Sequence, residues 1–180
     1  MKKYLMVMIV MCMGATSYAA EPSYQNINLG YSIVDIDGAS KDLTGITFGG
    51  AFRQSEQLLL YFQHSRYKED SLKLNATVFG GNYLHEISNT TDFTAGIALV
   101  QSSVELGSIS DSEFDLGLNI GITSRLSDFL QLDGGLGFVD GNTAISVTGR
   151  FFVDSKISLD LSLGSSDDST TTTIGASYVF

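Results

Sequence analysis

The sequence predicts an all-β chain: a closed, antiparallel, up-and-down barrel of ten transmembrane strands, with eight strands as the alternative. Three observations lead there. Apolar and polar residues alternate through about ten segments, a secretory leader precedes them, and the last segment stops on an aromatic, Phe180. A period of two marks a strand with one apolar face. A chain that ends extended on an aromatic, with no polar tail, suits a membrane interface better than a frayed soluble terminus.

The leader has a positive start (Lys2, Lys3), an apolar stretch from Tyr4 to Met13, and small residues in Ser17-Tyr18-Ala19. This pattern predicts a signal peptide over residues 1–19, cleaved after Ala19, and a single barrel domain over 20–180. Cys12, the sole cysteine, leaves with the leader, so disulfide and thiol chemistry are excluded from the mature chain. Met11 before it is not the small residue that a lipoprotein site requires. The formal charge of −10 becomes −12 once Lys2 and Lys3 are removed. Such a balance excludes nucleic acid as a partner, which calls for a basic footprint. No apolar run after the leader reaches the roughly 18 residues of a spanning helix, and barrel strands escape such windows because only alternate residues face lipid.

The elements follow in order. The first strand, near Gln25–Val34, puts Ile27, Leu29, Tyr31 and Ile33 on one face. A loop at Asp35–Lys41 leads to the second, with Ile46, Phe48, Gly50 and Phe52. Ser55-Glu56 turns the chain into the third, Gln57–Tyr67, where Leu58 to Phe62 is apolar on both faces and the register stays open. The fourth sets Leu72, Leu74, Ala76 and Val78 against Lys73, Asn75 and Thr77; a polar turn at His85–Thr91 follows. The fifth carries Phe93, Ala95, Ile97 and Leu99, and an acidic loop at Glu105–Ser112 leads to the sixth, with Phe114, Leu116, Leu118, Ile120 and Ile122. Leu130, Leu132, Leu136 and Phe138 mark the seventh, and Asp140-Gly141-Asn142 is a hairpin signal. Ile145, Val147, Phe151 and Val153 mark the eighth; Ile157, Leu159, Leu161 and Leu163 the ninth; a polar loop at Ser165–Ser169 precedes the last.

A soluble sandwich would bury the apolar face. Three features favour the inverse, lipid-facing arrangement. The polar face is rich in Gly, Ser, Thr and Asn rather than Lys and Glu, which suits a narrow lumen. Short turns tend to alternate with longer loops. Aromatics gather at one end (Phe52, Tyr83, Phe93, Phe129, Phe151, Tyr178, Phe180), with a sparser set at the other (Tyr31, Tyr67, Phe114, Phe138), as interfacial girdles do.

The terminal Ile174-x-Ala176-x-Tyr178-x-Phe180 is similar to the C-terminal assembly signal of outer-membrane barrels. With the leader and the alternating strands, the whole mature chain resembles small bacterial outer-membrane β-barrel proteins of the OmpA/OmpX-like type. The resemblance implies the outer membrane of a Gram-negative bacterium and the barrel-assembly machinery as partner during biogenesis. It also implies outer-membrane lipids and lipopolysaccharide as neighbours. It implies no particular activity.

The inward charges form the main polar constellation: Arg53, Lys73, Glu113, Asp115, Arg125, Asp133, Arg150 and Asp160. They would serve as a charged pore lining, or as paired groups that fill the lumen. The second reading is favoured, because buried charges demand partners and a barrel this narrow has little room beyond side chains. His64 and His85 are the only histidines. Outer-membrane lipid A deacylases, similar in size, place a Ser two residues after the His; here that position is Arg66, so no catalytic residue is assigned. An omptin-like protease would need longer outer extensions. Acidic tips such as Asp35-Ile36-Asp37-Gly38 are only a fragment of a Ca²⁺ loop. The sequons at Asn75 and Asn89 are read as chance. The expectation is therefore a monomeric, non-enzymatic barrel of structural or surface-interaction type, without cofactor or metal. The alternatives are a narrow porin-like channel and, more weakly, a lipid-modifying enzyme.

Overall fold

The computed structural model describes residues 25–38, 42–70, 72–107 and 109–180. The leader, its cleavage point after Ala19, Cys12 and the end of the first loop at Lys41 lie outside the described residues. Ten strands follow one another: β1 (Asn26–Ile36), β2 (Leu43–Arg53), β3 (Leu58–Glu69), β4 (Leu72–Ser88), β5 (Thr91–Leu106), β6 (Ile109–Ser127), β7 (Leu130–Val139), β8 (Asn142–Phe152), β9 (Ile157–Ser166) and β10 (Ser169–Val179). Each pairs antiparallel with the next, and β1 closes on β10, from Asn26 opposite Val179 to Ile36 opposite Ser169. The barrel thus has ten strands rather than eight. Closure gives every strand two neighbours, which satisfies the backbone polar groups that hydrocarbon cannot solvate. The start of β1 and the end of β10 lie at one end, here the terminal end; the opposite end is the distal end.

The apolar face points out. Leu29, Ile46, Phe79, Ile97, Leu118, Leu161 and Ile174 are all exposed on the outer wall, while the polar residues Ser32, Thr47, Gln63, Thr148 and Ser177 are buried within. A continuous exposed apolar band of this size is untenable in water and is what lipid requires. At the terminal end Phe52, Tyr83, Phe129, Phe151 and Phe180 face outward as a girdle. At the distal end Tyr31, Phe114 and Phe138 do the same, but Tyr67 does not: it is buried inside.

Two strands depart from simple alternation. In β3, whose register the sequence left open, Leu58 and Leu60 face out and Leu59 and Tyr61 are buried in the lumen. In β4 the expected orientation is reversed. Leu74, Ala76 and Val78 are buried inside, and Lys73, Asn75 and Thr77 lie on the outer face. The parity is set farther along the strand, where Phe79 and Tyr83 are the lipid-facing residues. Successive side chains alternate, so Lys73, Asn75 and Thr77 must share their face.

The strands also run longer than the alternation suggested. The expected turn at His85–Thr91 shrinks to Asn89 and Thr90, with β4 continuing to Ser88 past a register shift between Glu86 and Ser88. The expected loop at Glu105–Ser112 is mostly strand: β5 and β6 stay paired until Leu106 meets Ile109. At the β7–β8 turn Asp140 and Gly141 both have positive φ, 46° and 77°, the two-residue hairpin that Asp-Gly favours.

Several glycines are required by packing, Gly80 among them. Gly80 lies opposite Tyr61, and a Cβ there would run into the Tyr61 ring. Gly80→Val should therefore cost about 1–3 kcal/mol, as overpacked sites do. The check is the urea midpoint of the refolded protein in detergent. Gly134→Ala is the control, since its nearest neighbour would be 3.8 Å away, and it should leave the midpoint unchanged.

Candidate functional site

The lumen is packed rather than open. On one side, Ala51, Leu59, Tyr61, Val78, Val100 and Ala98 join Val139 and Ala144 in one buried apolar cluster. These residues come from β2, β3, β4 and β5 and from β7 and β8, and Gly117 of β6, which adjoins both Ala98 and Val139, lets the cluster continue around the inner wall. The Tyr61 hydroxyl accepts a hydrogen bond from Asn119 Nδ2 at 3.0 Å. That bond joins β3 to β6, which are separated in the sheet by β4 and β5. The Tyr61 ring lies over Gly80 of β4, so the bond runs along the inner wall past β4 and β5. Nearer the distal end, Val34, Leu43, Tyr67 and Leu74 form a second apolar plug.

The polar side of the lumen is built in rows. Arg150 and Asp160 lie directly opposite each other on β8 and β9. Arg150, only 2% exposed, donates from Nε to Asp160 Oδ1 at 3.0 Å and from Nη2 to Ser177 Oγ at 3.4 Å. Asp160 also accepts from the hydroxyls of Ser158 and Ser177. Asp133 is buried too and accepts from Thr123 Oγ1 at 2.7 Å and Gln131 Nε2 at 3.1 Å. A hydroxyl row continues along the adjoining wall: Ser32 meets Thr173 at 2.8 Å, and Thr47 meets Ser65 at 2.9 Å. Each desolvated charge has polar neighbours, as burial demands.

Of the eight charges expected in the lumen, three form this interior set: Asp133, Arg150 and Asp160. Arg53 and Arg125 sit at the terminal rim instead. Arg53 donates to the carbonyls of Ser55 and Glu56 and braces the β2–β3 turn. Arg125 donates to the Asp128 carbonyl and stacks over Phe152, 5.2 Å from the ring centre. Glu113 is exposed and Asp115 half-buried at the distal mouth. Lys73 is not in the lumen at all; on the outer face it pairs with Glu105 at 2.9 Å. Its misplacement follows from the reversed parity of β4. The Tyr61–Asn119 bond was missed because no sequence spacing links β3 to β6.

The distal end has one further feature. β6 loses β7 as a neighbour after Gly117 meets Val139, yet stays paired with β5 as far as Ile109. Residues 109–116 thus form an exposed edge on a projecting β5–β6 hairpin. Asp111, Glu113 and Asp115 line one side of it. Charges along an open edge discourage indiscriminate strand addition.

At the C-terminus Ile174, Ala176, Tyr178 and Phe180 all face outward, and the Tyr178 and Phe180 rings stack with centres 6.3 Å apart. The Phe180 N–H donates to the Gln25 carbonyl at 3.0 Å, so the last residue is tied to β1. His64 lies on the outer face, its Nδ1 3.0 Å from Thr77 Oγ1. His85 is exposed near the terminal end. Among the described residues no group of three or more His, Cys, Asp and Glu side chains is placed to hold a metal ion.

No protein-family model and no curated protein sequence matches the chain. Solved structures do match. The chain is similar to the KdgM porin in complex with disordered oligogalacturonate, with 12% identity, a TM-score of 0.54, and coverage of 86% of this chain and 99% of that one. It is also similar to the translocator domain of the autotransporter NalP from Neisseria meningitidis, with 11% identity, a TM-score of 0.51, and coverage of 97% and 93%. At such identities the likeness establishes the fold, that of bacterial outer-membrane β-barrels.

Proposed function

We propose that this protein is a non-enzymatic outer-membrane barrel of structural or surface-interaction type, of the small OmpA/OmpX-like kind, in a Gram-negative envelope. The observation that carries this reading is the filled lumen. Inward side chains around the barrel are almost wholly enclosed, among them Leu59, Tyr61, Val78 and Val100 and, across from them, Gln131, Thr148 and Arg150, and an apolar cluster lines six of the strands. Water and ions pass poorly through an apolar constriction. What remains for function is the outer surface, above all the acidic β5–β6 hairpin at the distal end. In this reading the terminal strand is what the barrel-assembly machinery engages, and the monomer sits among outer-membrane lipids and lipopolysaccharide.

Planar-bilayer recording of the purified, refolded protein tests the reading. The wild type is expected to show no discrete conductance steps. Tyr61→Ala, which removes the largest ring of the apolar cluster, is expected to introduce them. Steady unitary steps from the wild type would instead establish the narrow-pore alternative.

A further inference from the structure

The outer face of β3–β5, just beyond the apolar band towards the distal end, concentrates positive charge on a strongly acidic chain. Phe62, Phe79 and Leu99 are the last apolar outward positions there. The next outward row is His64, Thr77 and Gln101, since His64 lies opposite Thr77 and Thr77 opposite Gln101. Arg66, Asn75 and Ser103 form the row after that, and Lys68, Lys73 and Glu105 the row beyond.

Two details make this more than a solvated rim. Lys68 and Lys73 are direct cross-strand partners. Like charges placed opposite each other destabilise a sheet, so the fold carries an electrostatic cost here. Glu105 neutralises Lys73 alone. Among the described residues neither Arg66 nor Lys68 is paired with a carboxylate. The cations of the terminal end behave differently, since Arg53 and Arg125 are spent on turn carbonyls. Beside these cations lie neutral polar groups: Asn75, whose Nδ2 donates to Ser103 Oγ at 3.3 Å, and exposed Gln101.

We infer that this patch binds the phosphate of an anionic lipid headgroup in the bordering leaflet, with Arg66 and Lys68 as the principal contacts. The position decides the source of the phosphate. A lipid whose acyl chains lie along Phe62, Phe79 and Leu99 brings its headgroup to the rows of Arg66 and Lys68. Arg66 can take a phosphate through two parallel N–H donors, and Lys68 adds a point charge. The inference rests on the membrane-barrel reading and names a specific lipid contact within it.

The test is native mass spectrometry of the full mature chain in neutral detergent, after heat-modifiable gel mobility has established that each sample is a folded barrel. The probes are diphosphorylated lipid A, the same lipid with its phosphates removed, and inorganic phosphate. Diphosphorylated lipid A is expected to bind saturably and the dephosphorylated lipid much more weakly. Arg66→Gln and Lys68→Gln are each expected to weaken binding about fivefold, the worth of one cation near a lipid surface. Lys156→Gln, at the terminal end, should change nothing. Equal binding of both lipids, or wild-type binding by the Arg66→Gln/Lys68→Gln pair, would overturn the inference while leaving the barrel intact. Inorganic phosphate binding as tightly as the lipid would overturn it too, making the patch a general anion site. A protein without heat-modifiable mobility would overturn the membrane-barrel reading itself, and this inference with it.

Discussion

Arg150→Met should destabilise the barrel by about 3–5 kcal/mol, the cost of leaving one half of a buried ion pair without its partner. The orphan would be Asp160, whose carboxylate would keep only the hydroxyls of Ser158 and Ser177. Asp160→Leu should cost a similar amount by stranding Arg150, which is almost wholly enclosed. The double variant Arg150→Met/Asp160→Leu should regain most of the loss, because apolar residues of similar volume remove both desolvation costs at once. Urea midpoints of the four proteins in detergent give the coupling directly. Additive losses would mean that the two charges do not act as a pair. The same cycle bears on function: if the pair is an internal brace, the variants should lose stability and gain no conductance.

A charge placed on the outer wall should be nearly as costly, for a different reason. Leu118 is central in the outward apolar series of β6 and lies between Ile97 of β5 and Phe138 of β7. Leu118→Arg should cost about 2–4 kcal/mol in a bilayer, the penalty for a cation at the hydrocarbon midplane. Gln101→Arg, outward on β5 but beyond the apolar band, should cost well under that and stay close to the wild type. Refolding yields and urea midpoints in lipid vesicles separate the two. Equal tolerance at both positions would mean that Leu118 does not face hydrocarbon.

The ten strands and their closure were legible because the outward residues are large and apolar over most of the chain. Leu116, Leu118, Ile120 and Ile122 alternate with small or polar partners, and so do Ile157 to Leu163. β4 misled for a physical reason. Near the distal end the lumen is apolar and the outer wall has left the lipid, so the two faces exchange character. Leu74, Ala76 and Val78 then mimic a lipid-facing series, and only Phe79 and Tyr83 reveal the true parity. The β5–β6 hairpin was hidden similarly. Ile109 to Phe114 is polar and acidic enough to read as a loop, yet pairing with β5 holds it as strand. In the lumen, the Arg150–Asp160 pair was within reach because both residues lie on the polar faces of adjacent strands. The Tyr61–Asn119 bridge depends on the curvature of the sheet and on Gly80 leaving room for the Tyr61 ring along the inner wall, which local patterns do not encode.

The central claim is a closed barrel with its apolar face in a membrane. The most direct test is to express the full chain in a Gram-negative host, fractionate the envelope, and run the outer-membrane fraction on a gel with and without boiling. A closed sheet in which every strand is paired on both sides should resist detergent until heated. The account predicts a band in the outer-membrane fraction whose mobility shifts on boiling. A soluble periplasmic band with no shift would contradict it and would mean that the apolar faces are buried against one another in a sandwich.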